Sequence, residues 1–265
     1  MTREDIIQQL QQKGYNAVGQ DVIKNGVVKQ GIVLKSPDSN ISPTVYADDF
    51  IKKGLSATEA AEACIRIFDS NRSLNFDIKS IFDKDFLLKH SYLGLQKSST
   101  EDICKEETEY EGIEKFLYLR LEIDDGFGSI KLNQTILDLA STSYEELLPQ
   151  AEKNTFAETK FINLSEMFGL PEDATSFPLT CITNAHKTRG AAAILDKKAI
   201  KEYAEQNNIH HLVAIPSSIH EFILFPCMND TPIDLDDFAE LIKQVNADSV
   251  LPEEQLGNRA YIINL

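Results

Sequence analysis

The stretch HLVAIPSSIHEFILFP, residues 211–226, sets Ser217, Ser218, His220 and Glu221 between two apolar runs. Nucleophilic catalysis needs a serine hydroxyl within hydrogen-bond reach of an imidazole, and a carboxylate orienting the far ring nitrogen. In an extended chain Ser218 and His220 share one face while Ser217, Ile219 and Glu221 point to the other. Glu221 therefore cannot readily orient His220, and a catalytic pair of Ser218 and His220 must take its acid from elsewhere. There is no Gly-x-Ser-x-Gly elbow to raise the nucleophile at a strand-to-helix turn. Proline followed by two serines is also ordinary turn chemistry, and HLVAI and EFILF read as the two arms of a hairpin. The turn is the first reading and hydrolysis the second.

A second constellation is NAHKTRGAAAIL, residues 184–195. A helix beginning near Gly190 would leave its first N–H groups unpaired, with Gly190, Ala191 and Ala192 small enough to admit a ligand. His186, Lys187 and Arg189 precede that start, and Lys197, Lys198 and Lys201 follow it, a basic island in an acidic region. Anions favour such a place. The stretch matches neither a P-loop nor a dinucleotide fingerprint, and a small-residue helix packed on a sheet explains it equally well. A strand-helix-strand-strand order could bring residues 184–190 beside residues 216–220. His186, Arg189, Ser218 and His220 would then surround one small anionic ligand.

Other chemistries find less support. His210 and His211 would face opposite sides of a strand, and neither HExxH nor paired CxxC occurs, so no metal site and no cofactor is expected. The adjacent acids Asp48-Asp49, Asp124-Asp125 and Glu253-Glu254 read as turn and cap residues and not as a glycosidase pair. Cys64, Cys104, Cys181 and Cys227 are scattered, as suits reduced thiols in a cytoplasm. No run approaches a membrane span, and MTREDIIQQLQQKGY lacks the apolar core of a secretory signal. The net charge of −16 is uneven: residues 1–97 hold 13 Lys/Arg against 12 Asp/Glu, and residues 98–265 hold 13 against 30. Such a surface repels phosphate backbones, which argues against nucleic acid as a partner.

The elements that must position these residues follow from pattern. Asn25-Gly26 between β-rich runs is a type I′ hairpin signal, and Gly31 in the second run suggests a bulge. Ser56 with Glu59 forms a capping box ahead of a helix carrying Ala60, Cys64, Ile67 and Phe68. A further helix is expected over residues 78–93. Residues 98–114, with seven acids, read as a solvated connection between two regions, 1–97 and 115–265. Phe116, Tyr118 and Arg120 alternate with Leu117, Leu119 and Leu121 as in a strand, Asp125-Gly126 marks a turn, and FGSIKL returns. A helix capped by Ser143 comes next. LTCITN, HLVAIP, EFILFP and AYIINL read as strands, with helices over 190–208 and 234–250. Hairpins interspersed with helices give an α+β fold with mixed, largely antiparallel sheets and packed helices.

The ordered segments FLYLRLEI, ILDLASTSYEELLPQAEKNT, ITNAHKTRGAAAIL, AIPSSIHEFILFP and VNADSVLPEEQLGNRAYIIN resemble a family of Clostridia and other Firmicutes catalogued as a domain of unknown function (DUF5688). The resemblance runs from the Asn25-Gly26 hairpin to Asn264. It implies a bacterial, intracellular protein and assigns no activity or site residue. The residues themselves point first to a soluble cytoplasmic binding protein, acting on a protein partner or a small anionic ligand through His186, Lys187, Arg189 and Gly190. They point second to a hydrolase of a small anionic substrate.

Overall fold

In a computed structural model, which describes residues 1–36, 42–70, 76–123, 126–167, 179–227 and 234–265, the chain divides into two units, Met1–Ile81 and Phe82–Leu265. The first contains α1 (Arg3–Gln12), β1 (Asn16–Lys24), β2 (Val27–Lys35), β3 (Thr44–Tyr46), α2 (Ala47–Lys52) and α3 (Ala57–Ser70). Asn25 and Gly26 have φ of 50° and 77°, the left-handed pair that a type I′ turn demands. The β1–β2 register passes Gly31 without a shift, so the expected bulge does not form. Gly31 instead permits close approach: a Cβ there would meet the Gln20 carbonyl oxygen at 2.6 Å and Thr44 Cγ2 of β3 at 2.8 Å. The Ser56–Glu59 capping box is made in both directions. It starts α3 so that Ala60, Ala61, Cys64 and Phe68 face a core with Ile6, Leu10, Ile32 and Leu34.

The second unit carries the candidate residues. Its first elements are α4 (Lys84–His90), β4 (Ser91–Lys97), β5 (Lys105–Glu107), β6 (Ile113–Ile123) and β7 (Gly126–Lys131). The helix expected over 78–93 is broken by Asp83, whose carboxylate caps α4 through the Phe86 N–H, and its end becomes strand β4. β4, β5 and β7 all pair with β6 antiparallel. Of the turn expected at Asp125-Gly126, Asp125 lies outside the described residues and Gly126 begins β7.

Pairing of β4 with β6 places residues 98–114 inside this unit, Phe82–Leu265. The acids there are matched and not merely solvated: Glu101 with Lys131, Glu106 with Lys115, Glu109 with Lys197 and Glu111 with Arg259. Three of those partners, Lys131, Lys197 and Arg259, are remote in sequence, beyond the reach of a local charge count.

Next come α5 (Gln134–Leu139), α6 (Tyr144–Phe156), β8 (Thr159–Asn163), α7 (Leu164–Met167), β9 (Thr180–Asn184), α8 (Lys197–Gln206), β10 (His211–Ser218), β11 (Glu221–Cys227), α9 (Leu235–Ser249) and β12 (Tyr261–Asn264). They form an antiparallel sheet in the order β12-β10-β11-β9-β8. The alanine-rich helix expected from Gly190 is two pieces. A 3₁₀ segment, Gly190–Leu195, comes first, and α8 then starts anew on the Asp196 cap. The 3₁₀ segment packs on β9 and β11 of this sheet and on β4 of the other. The fold is α+β, and every strand pair among the described residues is antiparallel.

Candidate functional site

β10 and β11 form a hairpin closing through Ile219-His220, with Ser218 opposite Glu221. Ser218 is buried, and its hydroxyl donates to Glu221 Oε1 at 2.7 Å while accepting the His220 N–H at 3.0 Å. The serine thus braces the reversal and does not reach the imidazole. The His220 ring turns the other way. Its Nδ1 accepts the backbone N–H of Arg189 at 3.1 Å, and its Nε2 lies 3.5 Å from Glu254 Oε1.

Asn184, at the end of β9, shapes the loop that delivers Arg189. Its side-chain oxygen accepts N–H groups of His186 and Thr188, and its amide donates to the Thr188 carbonyl. Lys187 and Arg189 both adopt left-handed backbone, with φ of 53° and 52°. The loop therefore meets the hairpin turn, as chain order suggested. Thr183 Oγ1 donates to the His220 carbonyl, and Ala191 N–H donates to the Ile219 carbonyl.

These bonds correct the view of Gly190 as the open mouth of a helix. The N–H groups of Arg189 and Ala191 already have acceptors, and Gly190 through Ala193 are buried. A Cβ on Gly190 would lie 2.3 Å from Thr183 Oγ1, 2.5 Å from the Asn184 nitrogen and 2.7 Å from the His220 carbonyl oxygen. The small residues exist to let backbone pack on backbone. Lys187 is exposed, while His186 Nε2 lies 3.9 Å from Glu158.

The Arg189 side chain leaves that junction and lies across the other sheet. Its guanidinium carbon is 5.9 Å from the centre of the Phe116 ring and 5.6 Å from that of Tyr118, within cation–π range. The surrounding face comes from alternate residues of β6 and their neighbours, Tyr92 opposite Tyr118 on β4 and Lys131 opposite Tyr118 on β7. Two nearby cations are matched. Arg120 forks onto Glu158, with one bond at 2.7 Å, and stacks on Tyr92 at 3.7 Å. Lys131 reaches Glu101 at 2.6 Å and Gln96 at 2.8 Å.

The Arg189 guanidinium has no hydrogen bond or ion pair to any described residue. Burial pushes it below its usual range, with Tyr118 and Glu101 opposing only in part. Burial also pushes the Tyr118 phenol up to about 12, so it stays neutral and can donate a hydrogen bond.

Deeper along the same face, Glu114 accepts from Gln96, from Ser99 and from Lys105. Burial alone would raise its pKa, but these bonds outweigh burial and hold the carboxyl below its usual range. A folded pKa below the unfolded value contributes stability above the unfolded pKa, near about 4.3. That contribution is lost as pH falls through the folded value. Glu114→Gln should lower stability at pH 7 and flatten the fall below about pH 4. Urea midpoints from pH 7 to pH 3 read both, and parallel curves for the two proteins would contradict the assignment.

Elsewhere, a cavity of about 640 Å³ beside β12 is lined by Tyr110, Ile194, Lys197, Lys201 and Tyr261. Its lysines pair with Glu109 and Glu205. No group of three metal-ligating side chains occurs among the described residues, and no described helix is long and apolar enough to cross a membrane. The four cysteines are free. Burial pushes Cys64 and Cys104 up to about 11 and Cys181 to about 12, as for unreactive thiols.

Of the residues singled out in the sequence, His186, Arg189 and His220 lie around this junction. Nothing in the sequence marks Tyr92, Phe116, Tyr118, Arg120, Lys131 or Glu254 as neighbours of these residues. The alternation of Phe116, Tyr118 and Arg120 is legible as a strand, but which group packs over that face is set by tertiary contacts. Nothing in sequence near Glu254 tied it to His220.

An α+β protein with a half-buried arginine between two antiparallel sheets is the class that fold and site define. The chain belongs to the family of unknown function DUF5688, whose model matches residues 2–264. No curated protein and no solved structure matches it.

Proposed function

We propose that this protein binds a small anionic ligand, carrying a carboxylate or phosphate group, at the Arg189 guanidinium above Phe116 and Tyr118. The observation that carries this is the contrast among neighbouring cations: Arg120 and Lys131 each hold a carboxylate, and Arg189 holds none among the described residues. A desolvated guanidinium costs free energy that a bidentate anion offsets, because its planar fork matches two oxygens. His186 borders the site through Glu158. The free thiols, three of them buried, fit a reducing cytoplasm, and the family resemblance a bacterial one.

Melting of the full chain in phosphate, citrate or acetate, against chloride of equal ionic strength, tests the reading. An anion at about 100 times its Kd stabilises by ~2.7 kcal/mol. For a unit of this size that is roughly 5–10 °C. Identical melting in all anions would reject the proposal.

Hydrolysis has one feature in its favour, the Glu254 carboxylate beside His220. Against it, the imidazole accepts a backbone N–H and the Ser218 hydroxyl is directed at Glu221. A fluorophosphonate probe should leave Ser218 unlabelled, and Ser218→Ala should cost about 1–2 kcal/mol through the turn bonds alone. Labelling of Ser218 that disappears in His220→Ala would restore the hydrolase reading.

A further inference from the structure

We infer that His220 is the positioning residue of the anion site, holding Arg189 in the conformation that presents its guanidinium; this rests on the binding role proposed above. The backbone of His220 is tied on both sides. Its N–H goes to Ser218 Oγ, its carbonyl takes the Thr183 hydroxyl, and the adjoining Ile219 N–H goes to the Glu254 carbonyl at 2.8 Å. The imidazole is thereby aimed from a fixed base, with the Glu254 carboxylate facing Nε2 and Nδ1 left to accept.

What Nδ1 accepts is the N–H of Arg189, a residue with φ of 52° and ψ of 30°. Left-handed backbone disfavours any side chain beyond glycine. A glycine at this position would relieve the backbone and forfeit the guanidinium. The imidazole bond offers another solution, fixing a strained residue whose side chain the site needs. Asn184 secures the loop only as far as Thr188, so His220 is the side chain that holds the next residue. Without it, the loop samples conformers in which the guanidinium leaves the Phe116 and Tyr118 rings, and apparent affinity falls by the fraction of competent conformers.

Three variants of the full chain separate this role from general packing. Asparagine can set its side-chain oxygen near the place of Nδ1, glutamine sets its amide near Nε2, and alanine has neither. His220→Ala and His220→Gln should weaken inorganic phosphate binding about tenfold, as for a competent fraction of one tenth, and His220→Asn should restore most of it. Hydrogen exchange at the Arg189 amide should follow the same order, fast in Ala and Gln and slow in Asn and the wild type. Unchanged Arg189 exchange and phosphate affinity in His220→Ala would overturn the inference, as would equal loss in all three. If the wild type ignores phosphate, the binding role falls, and with it the positioning of a ligand group. Loss of binding in Arg189→Gln with full binding in His220→Ala would reject the positioning role alone.

Discussion

Gly190→Ala should lower the melting temperature of the C-terminal unit by about 6–12 °C, the counterpart of roughly 3 kcal/mol. The added methyl would fall within 2.7 Å of three atoms, two of them backbone: the Asn184 nitrogen and the His220 carbonyl oxygen. Neither can retreat without opening β9 or the β10–β11 turn. The third, Thr183 Oγ1, is committed to that same carbonyl. Gly112→Ala makes the comparison. Its φ of 83° strains a side chain, yet nothing lies within 4 Å of the new carbon. About 1 kcal/mol is expected there. Thermal or urea unfolding of both variants reads the difference, and equal losses would mean that the 3₁₀ segment does not sit against β9 as described.

Arg189→Met should reverse the usual link between a site and stability. Methionine keeps much of the arginine's length, retains contact with the Phe116 and Tyr118 rings through its polarisable sulfur, and removes a partly desolvated charge. Lost cation–π attraction offsets part of that gain. A net stabilisation of about 1 kcal/mol is expected without ligand, together with loss of the anion-induced melting shift. Arg120→Met is the opposite case. It strands Glu158, whose carboxylate the arginine holds in a fork, and should destabilise by about 3 kcal/mol. If Arg189→Met is as damaging as Arg120→Met, then Arg189 is a structural cation and not a site left open.

The sequence made legible those parts of the fold that rest on local chemistry. Asn25-Gly26, Ser56 with Glu59, and Ser143 each mark a turn or cap through bonds within four residues, and all three elements form where expected. Asp83 and Asp196 were equally local caps, but each lies inside a run that reads as one helix, so the breaks at these positions were concealed. The ion pairs of the acidic stretch 98–114 are not legible locally, because Lys131, Lys197 and Arg259 lie far along the chain. The site shows the same division. Turn chemistry identified Ser218, and a basic island identified Arg189. That Arg189 would lie over a strand of the other sheet depended on Gly190 drawing its loop against β9, a contact set by tertiary packing. Glu254 came into place through one backbone bond to Ile219, for which no sequence spacing gives notice.

The most direct test follows the Nε–H resonance of the Arg189 side chain while the full chain is titrated with inorganic phosphate at constant ionic strength. A saturable shift of that resonance, with smaller movements for Arg120, is the predicted result. Saturable binding that leaves Arg189 unmoved, or no binding at all, would contradict the placement of an anion at this guanidinium.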